Sequence, residues 1–546
     1  MSGDLLVKSQ CLPFSYIPHT TRLFADFLSY SQKVQQFYPH SPGFSEWFAE
    51  AAEELNYDAG RRERVCAALE RQNISWNASA KTIANIARMR SGAAAVVTGQ
   101  QVGLFGGPLF SLFKALTAVK LAEQASQAGV DCVPVFWLAT EDHDLDEVNH
   151  IVLPGGDGSL HRVTASSTGV LQSPVGAIKF GSEIEEAIKQ VVDLLGESET
   201  TGILREAYRP GETFGTAFAR LFSRLFSEWG VILLDASDPE LHKIVEPVYL
   251  EAADRAAEIH DALEARGKAL EAAGYDQQVK VTSASTLLFT LLKGARVPVH
   301  RHTDSASGGI GFSIGNEKLS KAQLLDRIKA APQDFSPNVL LRPVVQDYLL
   351  PTLAYAGGGA EIAYFAQTAV VYQALLGRVT PIVPRFSSTM LETKHQALLE
   401  RYKLRLPDVF EAPERLREIL AAETLPQALN QSLEAGEAAI QKSMAGIREA
   451  LATLDKTLVE SANTAESKML YQLNSLRSRA ARAEVRQSEI IGRHAESLSN
   501  ALYPNKTLQE REIAGIYFLA HHGTKLLQDL YQTIHTDCLD HQVISL

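Results

Sequence analysis

The chain is poor in cysteine. Its 546 residues hold four, Cys11, Cys66, Cys132 and Cys538, and no two of them form a CxxC pair. That spacing gives no structural zinc motif and argues against a disulfide framework, so four reduced thiols are expected. Long apolar runs are missing too. None approaches the ~20 residues of a membrane span. The start, MSGDLLVKSQCLPF, lacks the basic segment and apolar core of a secretion signal. The expectation is a cytoplasmic protein with no membrane contact. Positive charge is in deficit, with 52 Lys and Arg against 64 Asp and Glu and a net charge of −12. This argues against a general nucleic-acid binder but not against a local basic pocket. The glycine-rich stretch TGQQVGLFGGP has no GK[ST] after it and is not GxGxxG, so it is neither a P-loop nor a dinucleotide fingerprint.

What is present is ordinary globular material, 45% hydrophobic and 21% charged. The length allows two to four domains. Ala93 to Val97 is continuously apolar, as a buried parallel strand is. A turn with Gly99, Gly103, Gly106 and Gly107 follows. A helix then starts near Pro108, and Val133 to Leu138 forms a second apolar run. Strand, glycine turn, helix, strand is half of a nucleotide-binding α/β unit. Pro108 suits the first helical turn. The free N–H groups of that turn read as an anion site, with Lys114 placed either to reach a phosphate or to face solvent. Val231 to Asp235 reads as a further buried strand, and Pro239 to Ala273 as one long helix.

The chain divides into a helical preface over 1–90 and a core over 91–390 with insertions at about 150–230 and 300–335. A helical region over 391–503 and a segment returning to the core over 504–546 complete it. From Leu425 to Leu502, apolar residues recur at threes and fours with a break near Ser461 to Ala465. This pattern predicts an antiparallel coiled-coil arm.

The sharpest chemistry lies in ATEDHDLDEVNH. Glu141, Asp142, His143 and Asp144 follow directly on a strand, where ligands of parallel sheets bind. Such groups orient a ribose, bind a metal or take a proton from an amine. The bland alternative is a helix cap by Asp142 or Asp144. No thiolate accompanies His143 and His150, and no metal is expected there. KLSK, Lys318 to Lys321, is similar to the lysine-rich signature of class I aminoacyl-tRNA synthetases, but Ser320 as a helix N-cap is favoured. Pro337 to Ala369 is dense in Pro and Gly and carries Arg342, Gln346, Asp347, Glu361 and Tyr364.

Together, TGQQ-x-GLF-x-GPL, VPVFW-x-A-x-EDHD-x-DE-x-NH and SPNV-x-x-RP-x-x-Q-x-x-LPTLAY, followed by the heptad arm, resemble the BshC family of bacillithiol biosynthesis. The resemblance runs over essentially the whole chain in order. Small departures are Gly106 in place of a hydroxyl residue, the Gly357 to Glu361 turn in place of a proline-containing one, and Phe365 where tryptophan is common. The resemblance implies an α/β fold: a Rossmann-like parallel-sheet core related to class I synthetases and nucleotidyltransferases, with insertions and a long α-helical coiled-coil arm. It also implies a homodimer and a ligase joining the carboxyl group of L-cysteine to the amine of glucosaminyl malate. By analogy at the level of fold, ATP would activate the carboxylate as an adenylate, with Mg2+ a possible companion. Asp142, His143 and Asp144 are then the catalytic candidates. Thr98, Gly99, Gln100, Gln101, Gly103, Phe105, Pro108, Lys114, Glu141 and Asn149 are binding candidates, with Gln346, Glu361 and Tyr364. Arg301 or Arg342 would pair with the malate carboxylates. The alternatives are another ATP-dependent ligase or nucleotidyltransferase on this core, or a non-catalytic coiled-coil interaction protein.

Overall fold

The computed structural model describes residues 9–166, 172–303, 310–487 and 489–546. Two compact units are present. One comprises residues up to 155, 161–389 and 510–544; the other comprises 156–160, 390–509 and 545–546.

The first unit is built on a five-stranded parallel sheet. Its order is Ile382–Pro384, Thr352–Gly357, Ala94–Gln100, Cys132–Leu138 and Ile232–Asp235. These segments are continuously apolar because helices cover both faces of a parallel sheet. The helix Phe110–Gln127 packs Ala118, Leu121, Ala122 and Ala125 on Val96, Leu353, Ala354 and Val383. Phe44, Trp47 and Phe48 join the same cluster, which makes Trp47 a core residue. The chain begins at the central strand, moves outward through Cys132–Leu138 to Ile232–Asp235, then crosses back to Thr352–Gly357. Strand order therefore reverses beside Ala94–Gln100, and a crevice opens at the carboxyl ends there. A second sheet of five antiparallel strands is inserted before the return. Its order is Glu317–Ser320, Ile310–Ile314, Ala295–Thr303, Ser285–Leu292 and Phe335–Pro337. Ser320 caps the helix Lys321–Ala330 through a capping box with Gln323.

Three expectations are corrected here. Pro239 to Ala273 forms two helices, Pro239–Asp254 and Ala256–Ala272. They part at Arg255, whose guanidinium ties to Glu251, Glu258 and the Ala374 carbonyl. Cys11 and Cys538 are disulfide-bonded, and only Cys66 and Cys132 are free. The strand Ser9–Leu12 pairs antiparallel with His541–Ser545 and brings the two sulfurs together. Local spacing cannot show a pair 527 residues apart.

In the second unit, Gln427–Leu454 and Leu458–Gln487 form a helical hairpin. Its turn lies at Asp455 to Thr457, not at Ser461 to Ala465. Asp455 closes the turn by accepting from the N–H and hydroxyl of Thr457. The polar residues expected to break the helix sit inside it. Ala462 is buried, and Thr464 bonds back to the Glu460 carbonyl. Arg448 pairs with Glu466 across the hairpin. No helix among the described residues is long and apolar enough to cross a membrane.

Candidate active site

A cavity of about 660 Å³ occupies the crevice at the carboxyl ends of the core strands. That volume suits small-molecule substrates. The first strand end contributes Gly99, Gln100 and Gln101, and the second contributes Glu141 and Asp142. The two ends meet. Gln101 Nε2 donates to Asp142 Oδ2 at 2.6 Å and to Glu147 Oε2 at 2.8 Å. Asp142 Oδ1 accepts the His143 N–H at 2.7 Å. Glu141 Oε1 lies 3.2 Å from His242 Nε2, and His242 Nδ1 lies 3.4 Å from the Tyr249 hydroxyl. Burial disfavours the His242 cation. The hydrogen bond and charge of Glu141 outweigh it and raise the imidazole above its usual range.

The other side of the crevice is cationic. Lys114, Arg342, Arg385 and Arg511 all line the cavity. Lys114 Nζ lies 2.6 Å from Glu361 Oε2 and donates to the Gly99 carbonyl at 2.7 Å and Gln100 Oε1 at 2.9 Å. All three of its donors are engaged. It is neither an exposed lysine nor a free phosphate hook. Burial pulls its ammonium down to about 8, even with Glu361 beside it. Burial alone would raise the Glu361 carboxyl. Lys114, the Gly358 N–H and the Tyr355 hydroxyl reverse this and hold it low. Arg342 donates to Gln346 Oε1 at 3.0 Å and to the Tyr364 hydroxyl at 2.9 Å. The buried Gln346 thus holds Arg342 rather than a ligand. Arg385 pairs with the buried Glu510 at 2.6 Å.

Most N–H groups of the turn and helix start, where an anion was expected, are engaged within the protein. The N–H groups of Gly106 and Gly107 go to the Gly103 and Leu104 carbonyls. Those of Leu109, Ser111 and Leu112 go to Ile513, Pro108 and Leu109. Thr98 is buried and bonds the Ala356 carbonyl, and Phe105 is packed edge-on to Tyr208. Gly103 and Pro108 line a smaller neighbouring cavity of about 390 Å³, which shares Gln100, Gln101, Phe110 and Arg511 with the first. Asp144 is exposed and caps the short helix Leu145–Val148, and Asn149 contacts His150. Neither Asp144 nor Asn149 lines either cavity.

Arg301 also stands outside; its Nε bonds the Ser283 carbonyl. The arginine of that strand that lines the cavity is Arg296, beside Pro298, Val299 and His300. Sequence reading missed it, along with His242, Arg385 and Arg511. Arg296, Pro298 and His300 share a face, and Arg301 falls on the other.

Two family models cover the chain. The N-terminal Rossmann-like domain of bacillithiol biosynthesis BshC matches residues 7–386, and the C-terminal coiled-coil domain matches 388–546. Proteins named "Putative cysteine ligase BshC" are similar throughout. The one from Koribacter versatilis is 49% identical over 98% of this chain and 99% of its own length. The one from Solibacter usitatus is 35% identical over the same shares. The one from Salinibacter ruber is 31% identical over 96% of each. With a Rossmann-like core, a coiled-coil arm and a cavity holding acids and cations at the sheet's carboxyl edge, this chain belongs to the BshC family of bacillithiol biosynthesis and is a ligase.

Proposed function

We propose that the chain forms the amide between the carboxyl group of L-cysteine and the amine of glucosaminyl malate, with ATP as co-substrate. The observation that carries this reading is the placing of Glu141 and Asp142 in one cavity with Lys114, Arg342, Arg385 and Arg511. An amide from a free carboxylate is uphill in water, so the acid needs activation. A cysteine carboxylate oxygen attacks the α-phosphorus, and pyrophosphate leaves. The amine nitrogen then attacks the acyl carbon, AMP departs with the carbon–oxygen bonding pair, and the amine proton passes to Asp142 or Glu141. The Arg342 guanidinium, held by Gln346 and Tyr364, suits a malate carboxylate. Among the described residues, no group of three His, Cys, Asp or Glu side chains is placed to hold a metal. A Mg2+ would enter with the nucleotide phosphates, as it commonly does.

The test is incubation of the purified protein with L-cysteine, glucosaminyl malate and Mg-ATP, following product by mass and pyrophosphate release. No product with any nucleotide, where a relative succeeds under the same conditions, sinks the substrate reading. The arm exposes Ile447, Leu454, Met469, Tyr471 and Leu476, which supports a homodimer through this surface. Charged substitutions at Leu454 and Leu476 should shift the sedimenting species from dimer to monomer.

A further inference from the structure

Arg296 sits in the inserted sheet, on the strand Ala295–Thr303, and is 9% exposed. Its guanidinium is held at four points. Nε donates to Ser336 Oγ at 2.9 Å, and Nη2 donates to the Pro337 carbonyl at 2.7 Å. Nη1 lies 3.2 Å from His143 Nδ1. The plane lies over the Phe289 ring, 4.0 Å from its centroid. None of these partners is anionic. Lys114 has Glu361 and Arg385 has Glu510, but among the described residues no carboxylate lies within ion-pair distance of Arg296. Burial lowers the affinity of this guanidinium for its proton, and the more distant Glu141 and Asp142 offset only part of that. A buried cation left without a counter-ion is costly unless something else supplies one. With three of its five N–H groups engaged, one on each terminal nitrogen remains, the spacing a carboxylate or phosphate edge accepts.

His143 bears on the same point. A guanidinium only donates, so in this contact Nδ1 of His143 is the acceptor; Asp142 Oδ1 lies 3.7 Å from the same nitrogen. The His143 side chain is not part of the cavity lining, whereas Arg296 is.

We propose that Arg296 is an anion-recognition residue of this cavity, taking a carboxylate or phosphate of the ligand, and that His143 is a positioning residue acting through it. The inference rests on the ligase reading for the identity of the ligand but not for the anion site itself.

The experiment titrates L-malate, L-cysteine and ATP separately into the full-length protein by calorimetry, beside steady-state kinetics. In Arg296→Gln, one of the three should lose roughly 10- to 100-fold in affinity, the range expected for a charged hydrogen bond, and the others should stay within about 3-fold of the parent. Which one changes distinguishes a malate carboxylate from the cysteine carboxylate and from the nucleotide. Arg296→Lys, which keeps the charge without the fork, should fall between and covers the case in which the glutamine variant fails to fold. His143→Ala should weaken the same ligand. His143→Asn, which can present an amide oxygen where Nδ1 stood, should restore it and leave the pH profile of kcat unchanged. Unchanged affinities in Arg296→Gln, or no binding of any probe by the parent protein, overturn the proposal. So does a His143→Asn variant as defective as His143→Ala with one limb of the pH profile lost, since that marks a general base. Turnover with an unaltered KM in Arg296→Gln removes only this inference. Arg296-dependent malate binding without turnover removes only the ligase reading.

Discussion

The cavity has two walls of different origin. One is the carboxyl edge of the parallel sheet, where Gln100, Gln101, Glu141 and Asp142 stand within two short stretches of sequence. The other is the inserted antiparallel sheet, which offers Ser285 to Phe289 from one strand and Arg296, Pro298, Val299 and His300 from the next. In the first wall a turn after each strand collects neighbouring residues, so function is written as motifs. In the second, the lining is spread along two paired strands with no turn to gather it into a motif, so a motif search passes over it. The first wall carries carboxylates, which suit proton transfer, and the second a guanidinium, which suits holding an anion.

Substitutions should separate the two. The largest effect is expected at the first wall: Asp142→Asn should lower kcat by roughly 10²–10⁴ with little change in KM. A loss confined to KM would place Asp142 with the holding groups. Next comes the ion pair at the sheet edge. Lys114→Met leaves the buried Glu361 carboxylate without its cation and should cost about 3–5 kcal/mol, read as a lower urea midpoint. Adding Glu361→Gln should recover part of it.

A third effect lies deeper in the same unit. His541 is buried with Ser387 on Nδ1 and Thr389 on Nε2, and burial pushes its imidazole down to about 4. The unfolded chain therefore binds a proton there that the native state refuses. Stability from this group is full above pH 6.5 and falls by about 3 kcal/mol as pH drops from 6.5 toward 4. Comparing the pH dependence of unfolding in the parent and in His541→Gln isolates it, because the variant should lack that part of the slope. The smallest effect is expected at Arg301, which stands outside the cavity. Arg301→Ala should change stability by no more than about 0.5 kcal/mol and leave KM unaltered. A KM defect there as large as that of Arg296→Gln would erase the contrast between the two faces.

Much of the scaffold was legible. Continuous apolar runs ending at Gln100, Leu138 and Asp235 mark buried parallel strands, because few other elements are apolar on every side. The meeting of Gln101 with Asp142 follows from two adjacent strands ending at the same edge. The partner of Lys114 was not legible. Helical periodicity places Lys114 on its helix but cannot say that Glu361 will face it. The bond between Cys11 and Cys538 is hidden for the same reason. The arm's turn was misplaced because small polar residues at Ser461 to Ala465 look like a break, whereas a hairpin helix tolerates them where its partner packs closely. Arg301 was named instead of Arg296 because both are basic and only strand register tells them apart.

The interrupted chain path of the first unit has a consequence for synthesis. Arg385, Ser387 and the Ser388 N–H all bond Glu510, yet residues 390–509 separate them in order of translation. At about 5–20 residues per second, a nascent chain exposes the Arg385 side of the cavity for roughly 6–24 s before its carboxylate partner exists. The strand Ser9–Leu12 waits longer, for almost the entire message. The cavity is therefore completed late in synthesis, and a chain truncated after the Rossmann-like segment should emerge as an unfinished vessel rather than a smaller enzyme.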